Sequence, residues 1–398
     1  MSCCSSLLRG LSPDNPSSEA SILYWSAFEE TAVSSNCFMK TPFLQRRRAL
    51  QMRMADKRLS GLLCMNPASW YYLTGFTGEA GALLVSVQGS FLVTDGRFTA
   101  QAKEEASGLR IVKQEGSLMA TVGSLLQGRS RARVASDATQ LTVAQHRGLR
   151  KAAGARVRWI RADGLGESGR QRKDAQELAL MRKAAVLASE VLSAALKLLK
   201  PGVREIEVAA EVEYQMRRRG ASGPAFETIV AFGARSAHPH ARPTEKRLRK
   251  NELVVLDLGA ILAHYCSDIT RTVFVGRAPA RIRRWYHAVR EAQAAAVATA
   301  QPGTTCGDVD AAARGVLKRY GLDQYFVHST GHGLGLEVHE DPRVARGQKH
   351  VLVPGNVITI EPGVYVPGVG GIRIEDDVAV NARGNEVLTR VTRDLIEI

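Results

Sequence analysis

The chain has 398 residues, 54 Lys+Arg against 39 Asp+Glu and a formal net charge of +15. At 45% hydrophobic and 23% charged it reads as globular and not disordered, and its length suits two domains. No apolar run approaches the ~18 residues of a membrane span, and no secretory signal is read at its start. Six Cys with no C-x-x-C pattern exclude a disulfide scaffold and a Cys-ligated zinc site, so the expected location is cytoplasmic.

The charge is unevenly placed. Residues 1–38 are Ser-rich and hold one basic residue and four acids, so they read as a disordered extension, or as sequence upstream of a working start at Met39. Residues 39–170 hold 21 basic and 9 acidic residues, and residues 171–398 hold 32 and 26. The basic clusters, such as Arg46-Arg47-Arg48, lack the interleaved aromatics of a stacking platform. A solvated surface is expected there, with no nucleic-acid partner and no membrane partner.

Mixed spacing over 44–58 predicts a helix. Gly61 to Cys64, Ala82 to Val87 and Phe91 to Thr94 read as strands, the last two joined by a turn at Gln88-Gly89-Ser90. Strands at 110–113, 132–135 and 156–160 alternate with helix-like segments, giving an α/β domain over 39–165. The Gly-rich run 162–170 reads as a linker. Asp174, with Glu177 three residues on, has capping-box spacing and opens a long helix ended by Pro201-Gly202.

The second domain, 171–398, repeats itself. Pro201-Gly202 and Gly220 recur as Pro302-Gly303 and Gly321 at an offset of 101, and Asp257 and Glu361 close apolar runs offset by 104. Two copies suggest two similar halves about a pseudo-two-fold axis with a site between them. If hairpins turn midway between Asp257 and Asp268, and at Gly368 between Glu361 and Glu375, each pair of carboxylates faces across its strands. Anions opposed in apolar strands repel and resist desolvation, so they call for cations. His332, flanked by Gly331 and Gly333, is a fifth candidate ligand. Four carboxylates and one imidazole suit two divalent ions, with an oxygen-rich set favouring Mn²⁺ over Co²⁺ or Zn²⁺. His240, His339 and Arg373 are candidate helpers near a developing oxyanion. His238 and His350 read as structural, and His264 as a turn residue.

Five stretches then resemble the metal-binding signature of the M24 "pita-bread" peptidases: 256–260 (LDLGA), 267–272 (SDITRT), 331–342 (GHGLGLEVHEDP), 360–363 (IEPG) and 371–377 (GIRIEDD). Residues 71–78 (YYLTGFTG) and 92–97 (LVTDGR) resemble the creatinase-type N-terminal domain. The resemblance implies an α/β (α+β) architecture, with that domain ahead of a pita-bread domain, in a homodimer. It implies Asp257 on one ion, Asp268 and Glu375 bridging both, and His332 and Glu361 completing the second. His240 and His339 would bind substrate and stabilise the tetrahedral intermediate, Arg373 would contact substrate, and Glu361 would shuttle a proton. The implied substrates are proline-containing peptides cleaved at the Xaa-Pro bond. The style of the N-terminal motifs leans towards an Xaa-Pro aminopeptidase; the alternatives are an Xaa-Pro dipeptidase (prolidase) and a non-catalytic pita-bread binding protein. The complete ligand set disfavours creatinase.

Overall fold

A computed structural model describes residues 42–127 and 131–398 of the chain. The extension expected over residues 1–38 lies outside the described residues. By its internal contacts the chain divides into two units, one ending at Arg161 and one spanning Ala162–Ile398.

The first unit is built on one mixed sheet. It contains β1 (Gly61–Cys64), β2 (Ala82–Ser86), β3 (Gly89–Thr94), β4 (Arg110–Lys113), β5 (Arg133–Ser136) and β6 (Arg158–Arg161), in the order β4-β3-β2-β1-β5-β6. Helices α1 (42–56), α2 (Pro67–Thr74), α3 (Thr99–Glu105), α4 (Leu118–Ser124) and α5 (Val143–Ala153) accompany it. The central strands are fully buried apolar runs, as a sheet covered on both faces requires. Both edges carry cations at exposed ends, Arg110 with Lys113 and Arg158 with Arg161, which discourages pairing with another sheet. The β2–β3 turn differs from expectation. Ser86 pairs with Gly89, so the two-residue loop is Val87-Gln88, one residue early, and Gly89 (φ 134°) takes the strained position. Helix α2 was not predicted. Asn66 caps it, accepting from the Ala68 and Ser69 amides, with Pro67 at its first position.

The second unit opens with α6 (Ala175–Leu196), which stops four residues short of the expected end at Lys200. Its capping box is formed: Asp174 accepts from the Gln176 and Glu177 amides, and Glu177 accepts from the Asp174 amide. Two halves follow. The first has α7 (Glu205–Arg218) with β7 (Gly223–Pro224), β8 (Ile229–Phe232), β9 (Glu252–Leu258), β10 (Ala260–Leu262), β11 (Tyr265–Cys266) and β12 (Ile269–Val275). The second has α8 (Ala280–Thr299) and α9 (Cys306–Arg319) with β13 (Gly331–Gly333), β14 (Glu340–Val344), β15 (Val357–Ile360), β16 (Gly363–Val366), β17 (Gly370–Arg373), β18 (Asp376–Asn381) and β19 (Gly384–Val387). A last strand, β20 (Ile396–Glu397), adds to β12 in parallel.

The internal repeat is structural. Helices α7 and α9 have 14 residues each at an offset of 101. The Gly202 amide donates to the Leu248 carbonyl at 2.9 Å, and the Gly303 amide to the Leu352 carbonyl at 2.8 Å. Gly202 (φ 99°) and Gly303 (φ 92°) adopt the same left-handed conformation, which lets the chain turn into each helix. Each half buries its own apolar cluster, one around Val208, Val212, Val254 and Leu256, the other around Val309, Val316, Ile358 and Ile360.

Candidate metal centre

The site residues stand on two hairpins. In the first, β9 and β12 pair antiparallel with Asp257 opposite Thr270, and the turn is Ala263-His264, both at positive φ (47° and 73°). Asp268 is therefore not opposite Asp257 but displaced by two residues. A shift of two keeps the side chain on the same face, so both acids still share one face as diagonal neighbours. His264 takes the turn place expected of it. In the second hairpin, the β15–β18 and β16–β17 ladders run in one register about Gly368 (φ 75°), which sets Glu361 opposite Glu375. That is the arrangement the hairpin reading expects.

His332 is central in β13, where its flanking glycines have a steric reason. A Cβ on Gly331 would lie 1.9 Å from the Thr359 carbonyl oxygen, and one on Gly333 would lie 2.3 Å from that of Asp341. Only glycine admits this approach of β13 to its neighbours. His332 Nε2 lies 3.5 Å from Glu361 Oε1 and 3.8 Å from Asp268 Oδ2. Its Nδ1 is 3.0 Å from the Gly333 carbonyl, which sets Nδ1 as donor and leaves Nε2 free to bind. Ligand atoms of Asp268, His332 and Glu375 all lie within 4.8 Å of one another.

The electrostatics are those of a site built for cations. Burial, then repulsion from Glu375 and Asp257, raises Asp268 well above the carboxylate range. Burial, then Glu361 and Asp257, does the same to Glu375. Burial chiefly pushes Glu361 up to about 8, against the pull of Arg373. Burial also lowers His332 to about 4, keeping it a neutral ligand. Among the described residues, Asp257 Oδ1 and Asp268 Oδ1 are buried without a hydrogen-bond partner. Repelling acids with orphaned oxygens beside a neutral imidazole fit divalent cations with mixed oxygen and nitrogen donors.

Around this cluster, the His339 ring sits edge-on to His332 with centroids 4.4 Å apart, and the residue is exposed. His240 is exposed, after the short helical turn Gly233–Ala237. Burial chiefly lowers the pKa of His339 and of His328, and the nearby His240 adds to both. Arg373, the candidate substrate contact, lies against this cluster. It is buried, and its guanidinium donates to Asp257 Oδ2 (2.5 Å), Thr270 Oγ1 (3.0 Å), the Tyr365 hydroxyl (2.7 Å) and the Pro239 carbonyl (3.3 Å).

Sequence reasoning passed over two residues here. His328 Nε2 lies 2.8 Å from the Tyr365 hydroxyl, and His328 Nδ1 lies 3.9 Å from Glu361 Oε2. Each sits four positions from a candidate ligand, His328 before His332 and Tyr365 after Glu361. That spacing was the available signal.

Residues 179–382 match metallopeptidase family M24, and residues 46–171 match the creatinase/prolidase N-terminal domain. An uncharacterized peptidase of Bacillus subtilis, YqhT, is 37% identical over 85% of this chain and 96% of its own length. The Xaa-Pro dipeptidase of Pyrococcus furiosus is 48% identical over 56% of this chain and 64% of that protein. The solved Xaa-Pro dipeptidase from Bacillus anthracis superposes with a TM-score of 0.85 at 36% identity, covering 89% of this chain and all of that one. Other solved relatives are named prolidases and an X-Pro aminopeptidase. The chain belongs to metallopeptidase family M24, with a creatinase/prolidase N-terminal domain ahead of its peptidase domain.

Proposed function

We propose that the protein is an Xaa-Pro dipeptidase that uses two divalent ions, preferably Mn²⁺. The observation that carries this reading is the buried cluster of Asp268, His332 and Glu375, flanked by Asp257 and Glu361, with carboxylate oxygens left unpartnered. Asp257, Asp268, His332, Glu361 and Glu375 are the proposed ligands. Bound there, the ions would polarise the scissile carbonyl and activate water.

The chain's own groups do the rest. Glu361 takes a proton and returns it to the leaving proline nitrogen, which as a tertiary amide nitrogen has no N–H of its own. His339, beside His332, and His240, exposed close by, donate hydrogen bonds to the oxygen that gains charge. Arg373 holds Asp257 rather than touching substrate, since protein acceptors surround its guanidinium.

The lean to an aminopeptidase gives way here. Relatives 48% and 47% identical, and the solved relative from Bacillus anthracis, are named Xaa-Pro dipeptidases, which favours cleavage of the free dipeptide. Assay of Mn²⁺-loaded protein on Xaa-Pro and Xaa-Pro-Yaa side by side decides it. Dipeptide cleavage is expected; cleavage of the tripeptide alone would restore the aminopeptidase reading. Among the described residues no helix is long and apolar enough to cross a membrane. A homodimer and a cytoplasmic location are proposed with the same reading, and sedimentation of the purified protein tests the first.

A further inference from the structure

The residues between β13 and β14, 334–339, form an irregular excursion. The ladder brackets it, pairing Gly333 with Glu340, but supplies no regular hydrogen bonding inside. His339 ends this excursion, and among the described residues its imidazole makes no hydrogen bond; its ring packs edge-on against His332. Something other than the ladder must hold it.

The residue after His339 is held hard. The Glu340 side chain is 5% exposed and lies between two buried cations, Arg170 at 3% and Lys173 at 1%. Arg170 Nε donates to Glu340 Oε1 at 3.1 Å, and Arg170 Nη2 also pairs with that oxygen. Lys173 Nζ reaches Glu340 Oε2 at 3.3 Å. Arg170 Nη2 extends to Glu337 Oε2 at 2.5 Å, and the Glu337 amide donates to Glu340 Oε1 at 3.1 Å. The carboxylate thus ties the excursion to itself and to the segment before α6. That segment is pinned in turn: the Lys173 amide donates to the Gly355 carbonyl at 2.7 Å, and Asn356 Nδ2 to the Gln171 carbonyl at 2.8 Å. Gly335 is the counterpart inside the excursion, where a Cβ would meet Glu340 Oε2 at 2.7 Å and Lys173 Cε at 3.0 Å.

A buried ion-pair cluster is a poor source of stability, because desolvation offsets its attraction, but its directed bonds fix geometry. We propose that Arg170 and Lys173 are positioning residues, which through Glu340 and Glu337 lock the 334–339 excursion and so hold the His339 imidazole in place. The run 162–170, read from sequence as a linker, thereby ends in a functional residue.

This rests on the proposed role of His339, and the test separates the two. Arg170→Gln, His339→Ala and the double variant are compared in kcat and KM on Xaa-Pro dipeptide, in metal content, and in amide hydrogen exchange over 334–340 in the metal-free protein. Arg170→Gln is expected to lower kcat tenfold or more with metal content unchanged, to speed exchange in 334–340, and to add less than twofold to His339→Ala. Arg170→Lys, which keeps the charge but not the fork, should recover part of the rate, and it replaces the Gln variant should that one not fold. Multiplying rate losses in the double variant, or unchanged exchange over 334–340, would overturn the positioning role. If His339→Ala itself leaves kcat within twofold, the role of His339 fails, while the exchange data still report whether Arg170 holds the excursion.

Discussion

Arg373 Nη2 donates to Asp257 Oδ2 at 2.5 Å, while the other oxygen of that carboxylate is buried with no hydrogen-bond partner among the described residues. One oxygen is oriented by the protein and the other is left for a cation. A partner that orients a ligand typically sustains ~10–100-fold in metal affinity. Arg373→Gln is therefore predicted to weaken Mn²⁺ binding by about that factor. Calorimetric titration of the stripped protein measures it, and wild-type affinity would refute it.

The metal-free protein should lose stability as pH rises from about 6.5 to 8. A carboxyl whose folded pKa exceeds its unfolded value supports folding below the unfolded value, and that support is lost as pH climbs through the folded one. Glu361, at about 8, faces Asp257, Arg373, His328 and His332; Asp268 and Glu375 are raised in the same direction. His328 and His332, both lowered to about 4, act oppositely, but only as pH falls below their ordinary 6.5. The window above 6.5 therefore isolates the carboxylates. The Glu361 share is on the order of 2 kcal/mol. Thermal melts with EDTA and with Mn²⁺ should diverge across this window, and parallel curves would count against cation binding by these acids.

Gly331→Ala is predicted to disable the site by displacing His332. The added methyl would lie 1.9 Å from the Thr359 carbonyl oxygen, so β13 must move off β15. A loss of roughly 1–3 kcal/mol in urea unfolding is expected, together with loss of metal binding. Retained metal stoichiometry would contradict it.

Tyr365→Phe removes the hydroxyl that accepts from Arg373 Nη1 and contacts His328 Nε2. Leaving buried polar groups unsatisfied costs about 1–3 kcal/mol each. We predict a lower melting temperature and a reduced kcat with metal content retained. Unchanged kcat would show that the His328–Tyr365–Arg373 chain has no part in turnover.

The local sequence determined a good deal of this protein. Alternating apolar runs and turn residues identify the strands, the Asp174–Glu177 spacing identifies the start of α6, and the offset of 101 identifies the paired halves. The Gly368 turn even determines which carboxylate faces Glu361, because hairpin register follows from the turn. The same logic misplaced Asp268 by two residues. The turn at Ala263-His264 puts two non-glycine residues at positive φ, a choice settled by the flanking ladders and not by turn propensity. Contacts between remote segments were decided by tertiary structure alone. Arg170 meets Glu340 across 170 positions, and Arg373 meets Asp257 across 116. Periodicity and turn chemistry act over a few residues, whereas these two buried ion pairs form only where separately folded elements bring remote side chains together.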